Sequence, residues 1–512
     1  IFRMVDSTSI QANLDGLKVD ATVLGLTDTI TEMTAMADIS VSALEGAMDT
    51  VSAKIEGLKV GAQLSPDNGE PGLKANVSFA GLAAAMGSQL KAAVGNISLQ
   101  AQANHDGSKQ DILLQWNPSV TLNLQDCVVE NILELPVGVP QLDLDFSLGR
   151  FNINECSVSL GNSDLMLWGD VYNIGEFLDN KGLLTGELFL ESDYADVTEL
   201  MSLTSGSGND EETVSRIEEI QEGDTVSAGP FIVPKGIDVT LFTILSTIDF
   251  NGHQFHNVGG DVSVRDGVVV LKEIGFSSDA AQMQLTAIYK TPSLERRFTE
   301  LNFHLLDIEM DELIDIIPAV DSIVPMLKSF NGKAAFHLAA ECYLEPDTKK
   351  YGDYYPIMTT LLANAAIEGK NLTVIDNEVF NSIKKKLLMS KDARNVIDSL
   401  DVELQVNSDK VDLFPTRLRM DRYEAILGGR HNLDDDMSCN YHISLTDCPL
   451  PVRLGLTVSG PINGIAESPL KHIKVGKPLY GKLYDTKKQG LYEERVLRIK
   501  QDILDASRSN VR

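Results

Sequence analysis

Apolar and polar residues alternate with a period of two along most of this chain. The clearest stretch is "QLDLDFSLG" (Gln141–Gly149): Leu142, Leu144, Phe146 and Leu148 share one parity, and Asp143, Asp145 and Ser147 share the other. Successive side chains of a strand point to opposite faces, so this spacing predicts a strand with one apolar and one polar face. "WNPSVTLNL" (Trp116–Leu124) repeats the pattern with Val120, Leu122 and Leu124 on one side. Upstream, the tripeptide Gly-Leu-Lys begins at Gly16, Gly57 and Gly72, and alternating runs such as "VDATVLGL", "VGAQLS" and "ANVSFAGL" follow it. These features predict repeated short strands with glycine-containing turns over residues 1–130.

The pattern continues through "QLDLDFSL", "NECSVSLG", "SDLMLWGDVYNI" and "LLTGELFLES", then breaks over residues 203–230. That stretch is acidic and rich in Gly and Ser, as expected of a solvated loop. Beyond it, "VSVRDGVVVL" predicts a hairpin turning at Asp266-Gly267. "AQMQLTAIY" carries Met283 and Leu285, and "TELNFHLLDIEM" carries Leu301, Phe303 and Leu305. Residues 311–330 predict a short apolar helix pair limited by Pro318 and Pro325. "AAFHLAAECYL" reads as a strand. Glu378–Leu400 predicts a helix, with Val379, Phe380, Ile383, Leu387 and Leu388 at helical spacing. Strands return with "VELQV" (Leu404), "VDLF", "YEAILGG", "NYHISLT" and "RLGLTVSG" (Leu454, Leu456), before a basic tail from Lys471 that ends in a helix.

The expected organisation is therefore β repeats over 1–130, further β repeats with the acidic loop and the Pro-containing helices over 131–335, a C-terminal β region over 336–470, and a basic helical tail over 471–512. Three stretches echo one another: "SDLMLWGDVYNI…LLTGELFLESDYADVTELMSL", "AAQMQLTAIYKT…FTELNFHLLDIEMDELIDI" and "YEAILGGRHNLDDDMSCNYHISLTDCPL". Each reads as strand, turn, strand and an acidic corner, so the predicted fold grows by repetition.

Composition narrows the functional classes. The chain has 512 residues, 43% of them apolar, 6% aromatic and 23% charged, with a formal net charge of −31. That charge repels nucleic acid at long range, and no nucleic-acid partner is expected. The longest apolar stretch, Ile314–Phe330, carries Asp315, Asp321 and two prolines, which excludes a membrane-spanning helix there. The sequence opens in mid-pattern without a signal peptide or initiator Met, and we expect an N-terminal anchor or export signal to precede it. Five scattered cysteines (Cys127, Cys156, Cys342, Cys439, Cys448) do not form a disulfide framework. Cys439 and Cys448 would stand about 30 Å apart along one strand, beyond bridging distance.

Candidate chemistry is sparse. There is no HExxH, GxSxG, P-loop or strand-linked GxGxxG, and no enzyme activity is expected. His253/His256 and Cys439/His442 are each three apart in predicted strands, so their side chains diverge and neither pair is expected to hold a metal. The acidic corners at Asp193, Asp307 and Asp447 lack the dense carboxylate spacing of a calcium loop. No cofactor is expected. Asn76, Asn96 and Asn371 head Asn-x-Ser/Thr triplets at the frequency chance allows.

Many strands with small and aliphatic faces, and few helices to cover them, lead to one architecture. We expect a mainly β fold with a few short helices: an elongated, twisted and curved antiparallel sheet that forms an open groove, or half-pipe, from repeated β-meanders. A seven-residue strand spans roughly 23 Å, more than the ~15 Å of one leaflet's hydrocarbon. Sheltering a sixteen-carbon chain at about 0.8 kcal/mol per methylene removes on the order of 12 kcal/mol of exposure. Lipid acyl chains are the expected partner. The lining candidates are Leu122, Leu124, Leu142, Leu144, Phe146, Leu148, Met283, Leu285, Leu301, Phe303, Leu305, Leu404, Leu454 and Leu456.

The C-terminal third then resembles a known family. The "GKNL" entry after Ile367, the amphipathic helix that follows, the "VELQV…VDLFPTRL" hairpin, Gly428-Gly429, "SLTDCPL" and "LTVSGPI" are similar to the AsmA family, in particular the C-terminal region of its Bacteroidetes-type members. "GKAAFHL" resembles the same family more loosely, and the likeness covers residues 131–470. It implies a periplasmic envelope protein of Gram-negative bacteria, anchored in the inner membrane, related to elongated β-groove lipid-transfer bridges and acting in outer-membrane biogenesis. It also implies an alternative: a scaffold or assembly factor that affects protein targeting to, or insertion in, the outer membrane, with envelope proteins as partners. The lysines of the tail (Lys471, Lys474, Lys477, Lys482, Lys487, Lys488) are candidates for contact with anionic headgroups.

Overall fold

The computed structural model describes residues 2–5, 9–25, 33–48, 51–67, 70–87, 90–109, 111–130, 135–200, 233–250, 252–278, 281–291, 297–310, 330–346, 354–375, 378–389, 395–433, 437–449, 453–479 and 491–508. Long alternating runs become long strands, and the chain is mainly β with a few short helices and an extensive, largely antiparallel sheet. It divides into two units: Ile1–Val226 with Pro234–Asp266, and Ser227–Val233 with Gly267–Arg512.

In the first unit, the strands β1 (Phe2–Val5), β2 (Ser9–Asp15) and β3 (Lys18–Leu24) lead to a long β4 (Thr34–Met48). β2 and β3 lie end to end along β4. β5 (Val51–Asp67) likewise faces β6 (Glu70–Phe79) and β7 (Gly81–Met86), and β10 (Pro118–Glu130) faces β8 (Leu90–Val94) and β9 (Asn96–Asn104). The turns expected at each Gly-Leu-Lys need correction. Gly16 does separate two strands, but Gly57 lies inside β5 and Gly72 inside β6. With φ +63°, Gly57 bends a continuous strand where a residue with a Cβ would be strained. Trp116 is also corrected: it ends a short helix, α1 (Ile112–Trp116), because the Asp111 carboxylate accepts from the backbone N–H groups of Leu113 and Leu114.

The sheet continues antiparallel through β11 (Val137–Ser147), β12 (Arg150–Leu160), β13 (Ser163–Tyr172) and β14 (Leu184–Asp196), with α2 (Ile174–Leu178) between the last two. β15 (Ile237–Phe250) then runs parallel to β14, and β16 (His253–Arg265) returns antiparallel. This parallel pair departs from a purely antiparallel expectation. A parallel pair needs a long connection, which residues 197–236 supply. The predicted acidic loop 203–230 belongs to that connection and lies outside the described residues.

In the second unit the main strands follow chain order: β17 (Val268–Ser277), β18 (Gln282–Lys290) and β19 (Arg297–Glu309), then, past the two-residue β20 (Phe330–Asn331), β21 (Lys333–Pro346). After the short β22 (Tyr354–Pro356) come β23 (Leu362–Val374), β24 (Val396–Asn407), β25 (Lys410–Met420), β26 (Tyr423–Asn432), β27 (Ser438–Asp447), β28 (Gly455–Pro461) and β29 (Ile473–Gly476). All of these pairings are antiparallel. Pro415, inside β25, is accommodated where the register with β26 shifts between Leu413 and Thr416. Asp266 and Gly267 both have positive φ, as a two-residue hairpin turn requires. The three echoing stretches are the antiparallel hairpins β13–β14, β18–β19 and β26–β27.

Among the described residues, the α-helices of this unit are α3 (Glu378–Lys386), α4 (Ile462–Glu467), α5 (Pro469–His472) and α6 (Leu491–Arg508). The helix expected over Glu378–Leu400 is shorter. Leu388 adopts φ +58°, and Val396 and Ile397 open β24 by pairing with Thr373 and Leu372. Strand pairing therefore takes the β-branched end of that segment. The Pro-containing helices predicted at 311–330 fall, apart from Phe330 in β20, outside the described residues.

Candidate functional site

The register of the first unit turns local alternation into a continuous surface. Directly paired residues lie on the same face of a sheet. One transverse row runs Val19, Ile39, Val60, Val77, Leu99 and Leu122, each the cross-strand partner of the next. It continues through Leu144, Ile153, Gly169, Leu188, Leu241 and Val262. A neighbouring row carries Ala101, Val120, Phe146 and Phe151, the two Phe rings meeting edge to face at 6.1 Å. The opposite face reads Asp20, Asp38, Gly61, Asn76, Gln100, Thr121, Asp145 and Asn152. Its side chains bond to one another: Thr121 Oγ1 donates to Asp145 at 2.6 Å, and Asn154 Nδ2 donates to Asp143 and Asp145 at 3.2 and 3.1 Å.

Among the described residues the apolar face has almost no cover. Among the described residues of this unit, the buried apolar side chains are Val41, Ala195 and Val258. Val19, at the start of the long row, is 57% exposed. The predicted lining residues Leu122, Leu124, Leu142, Leu144 and Phe146 all sit half-buried on this face, with Leu122 opposite Leu144 and Leu124 opposite Leu142. Leu148 does not belong to the row. It lies in the turn after β11, where its carbonyl accepts from the Gly175 N–H at 2.7 Å.

The second unit also gathers its candidates by register. Leu285, Phe303, Leu338, Ala365 and Leu404 form one row, and Met283, Leu305, Phe336 and Ile367 form the next. Leu301 pairs with Ala340, and Leu456 pairs with Ile443. Here the face is mostly enclosed: Met283, Leu305, Leu404 and Leu456 are buried, while Leu285, Leu301, Phe303 and Leu454 are half-buried.

Space remains at the C-terminal end of that face. α3 lays Val379 and Ile383, and α4 lays Ile462 and Ile465, over the sheet residues Tyr423, Leu427, Ile443 and Val458. A cavity of about 550 Å³ lies between them, within the range of small-molecule sites. Its wall is aliphatic and aromatic, with Glu378 its one carboxylate. Burial pushes the Cys439 thiol up to about 11 and the Tyr441 phenol higher still, so both stay protonated at neutral pH. The Tyr441 hydroxyl is bonded to His431 Nδ1 at 2.7 Å. Such a wall is suited to an apolar ligand, and its thiol and phenol are not ionised at neutral pH.

A second feature of this unit was not anticipated from the sequence. α6 packs on the face of β19, β21 and β23 opposite the apolar rows. Tyr492 donates its hydroxyl to Asn302 at 3.4 Å, and Asn302 Nδ2 meets His304 Nε2 at 3.0 Å. His304 Nδ1 meets His337 Nδ1 at 2.7 Å. Because the Asn302 amide donates to Nε2, His304 carries its proton on Nδ1 and donates it to His337. Burial lowers both imidazoles, and the pair is neutral. Beside it, Arg495 pairs with Glu341 at 3.1 Å and donates to Asn364 at 2.7 Å; Arg498 also pairs with Glu341. The sequence cue was the run Glu300, Asn302, His304 alternating with Leu301, Phe303, Leu305, which marks a polar face that needs a polar cover.

His253 and His256 lie in β16, and Cys439 and His442 lie in β27. Among the described residues no group of three His, Cys, Asp or Glu is placed to hold a metal ion, and no helix is long and apolar enough to cross a membrane. All five cysteines are free thiols. Compared with known proteins, the chain matches no family model and no curated protein.

Proposed function

We propose that the chain binds or conducts lipid acyl chains along the apolar face of its sheet, in the manner of an AsmA-like β-groove. One observation carries this reading: the twelve-strand row from Val19 to Val262 is apolar throughout, save for Gly169, and almost nothing among the described residues covers it. Uncovered apolar surface of this extent marks a binding site. An acyl chain gains about 0.8 kcal/mol per methylene sheltered there. Small and aliphatic side chains offer no anchor for a headgroup, which suits passage more than capture. The cavity under α3 extends the same chemistry into the second unit. On this reading the protein is not an enzyme. It works in the periplasm, held at the inner membrane, and supplies phospholipid in outer-membrane biogenesis.

The test is substitution on the apolar row. Leu122→Asp with Leu144→Asp should weaken binding of a fluorescent fatty-acid probe by at least about tenfold while the thermal melt stays cooperative, since two charges then lie in the path of the chain. Binding that is unchanged in a folded variant overturns the reading.

A scaffold that captures client protein by strand addition is the second reading, and β3 favours it. β3 is exposed along its whole length and, among the described residues, pairs only with β4, which leaves one edge for a partner strand. Proline at Ala21 would abolish client binding on this reading and leave probe binding intact.

A further inference from the structure

The helical cap over the cavity has an outer surface unlike the rest of this acidic chain. α3 turns Val379, Ile383 and Leu387 inward and ends in Lys384, Lys385 and Lys386. It packs against α4, α5 and β29, and α5 brings Lys471 to the same place; Lys474 pairs with Thr457 and so lies on the other face of the sheet. Lys385 and Lys471 line one cleft of about 490 Å³, together with Ser382 and Ser468. Glu378 and Glu467 line it too, and they are the only carboxylates on α3, α4 and α5, against four lysines. Among the lysines stand three exposed apolar side chains: Leu388 at 55%, Leu470 at 56% and Val475 at 50%.

We infer that this cap docks onto an anionic lipid bilayer. Charge and apolarity both point to that partner. In a chain of net charge −31, a cluster of lysines is the end that an anionic surface attracts, whereas the remainder is repelled. Juxtamembrane lysines act additively through headgroup charge, and leucines set between them reach the acyl boundary. Lys384 is already engaged, bonded to Asn395 at 2.8 Å and set over the Phe380 ring, so Lys385, Lys386 and Lys471 are the residues to test. This inference does not depend on acyl-chain binding along the sheet.

The experiment is flotation of the full chain with phosphatidylcholine vesicles and with vesicles that also contain phosphatidylglycerol, at low and high salt. Binding should appear only with the anionic vesicles and fall with salt. Reversing three charges (K385E, K386E and K471E together) should reduce it by on the order of tenfold or more. L388S with L470S should reduce it at unchanged charge. Both variants should keep the fatty-acid probe affinity, which separates this surface from the sheet. Equal binding to neutral vesicles, no binding of the unmodified chain, or full binding by the charge-reversed variant overturns the inference. Retention of an acidic protein in place of vesicles does so as well.

Discussion

At the scale of single residues, the apolar row depends on one position with no side chain. Gly169 sits between Ile153 and Leu188 at φ +133°, and a Cβ there would come within 2.2 Å of the Glu187 carbonyl oxygen. The backbone oxygen cannot move aside without breaking the β13–β14 ladder. Gly169→Ala should therefore cost about 1–3 kcal/mol and lower the melting temperature. An unchanged melt in a thermal denaturation series would show that the strand pairing tolerates the clash. Alternation at Leu122, Leu142, Leu144 and Phe146 was legible in the sequence because the period of two is a local property. The need for glycine at 169 was not, because it arises from a neighbouring strand's backbone. The hydrogen-bonded chain Tyr492–Asn302–His304–His337 was equally hidden, since it joins residues 190 apart.

At the scale of elements, α6 is held by charge and hydrogen bonds over a polar face, and that makes its docking pH-dependent. Glu300 is buried beside Asp502, and burial, then the Asp502 carboxyl, raise it to about 7. Lys290 and Arg498 oppose that shift. The native state therefore keeps a proton that the unfolded chain releases, and stability declines as pH rises from the ordinary value of 4.5 to about 7. The His304–His337 pair acts with the opposite sign: both are lowered, so stability declines as pH falls below the ordinary histidine range. Glu300→Gln should flatten the loss of melting temperature between about pH 5 and pH 7 and leave the acid-side decline in place. A slope identical to that of the unmodified chain would contradict this assignment. The sequence predicted a C-terminal helix but gave it a basic character. The structure puts the lysines of Lys471–Lys477 outside the helix and commits Arg495 and Arg498 to Glu341. The helix at Glu378 was read from its apolar spacing, yet its end was set by strand pairing at Val396, which propensity alone does not reveal.

At the scale of the whole molecule, both units follow from one rule: antiparallel strands that keep apolar residues in register across the sheet. The mainly β, largely antiparallel character was legible because alternation recurs along the chain. The parallel β14–β15 pair was not, because it depends on how residues 197–236 return. In the first unit the apolar face is left half-exposed. In the second it is mostly enclosed, with space retained beneath α3. Among the described residues, the helices differ in the same sense: α1 and α2 are five residues each, whereas α3, α4 and α5 cluster on one face. The account stands on the claim that the open face carries hydrocarbon, and mass spectrometry of lipid extracted from the purified chain tests this most directly. Phospholipid or fatty acid should be recovered in stoichiometric amount from the unmodified protein and lost from the Leu122→Asp, Leu144→Asp variant. Recovery of no lipid, or of equal lipid from both proteins, would contradict it.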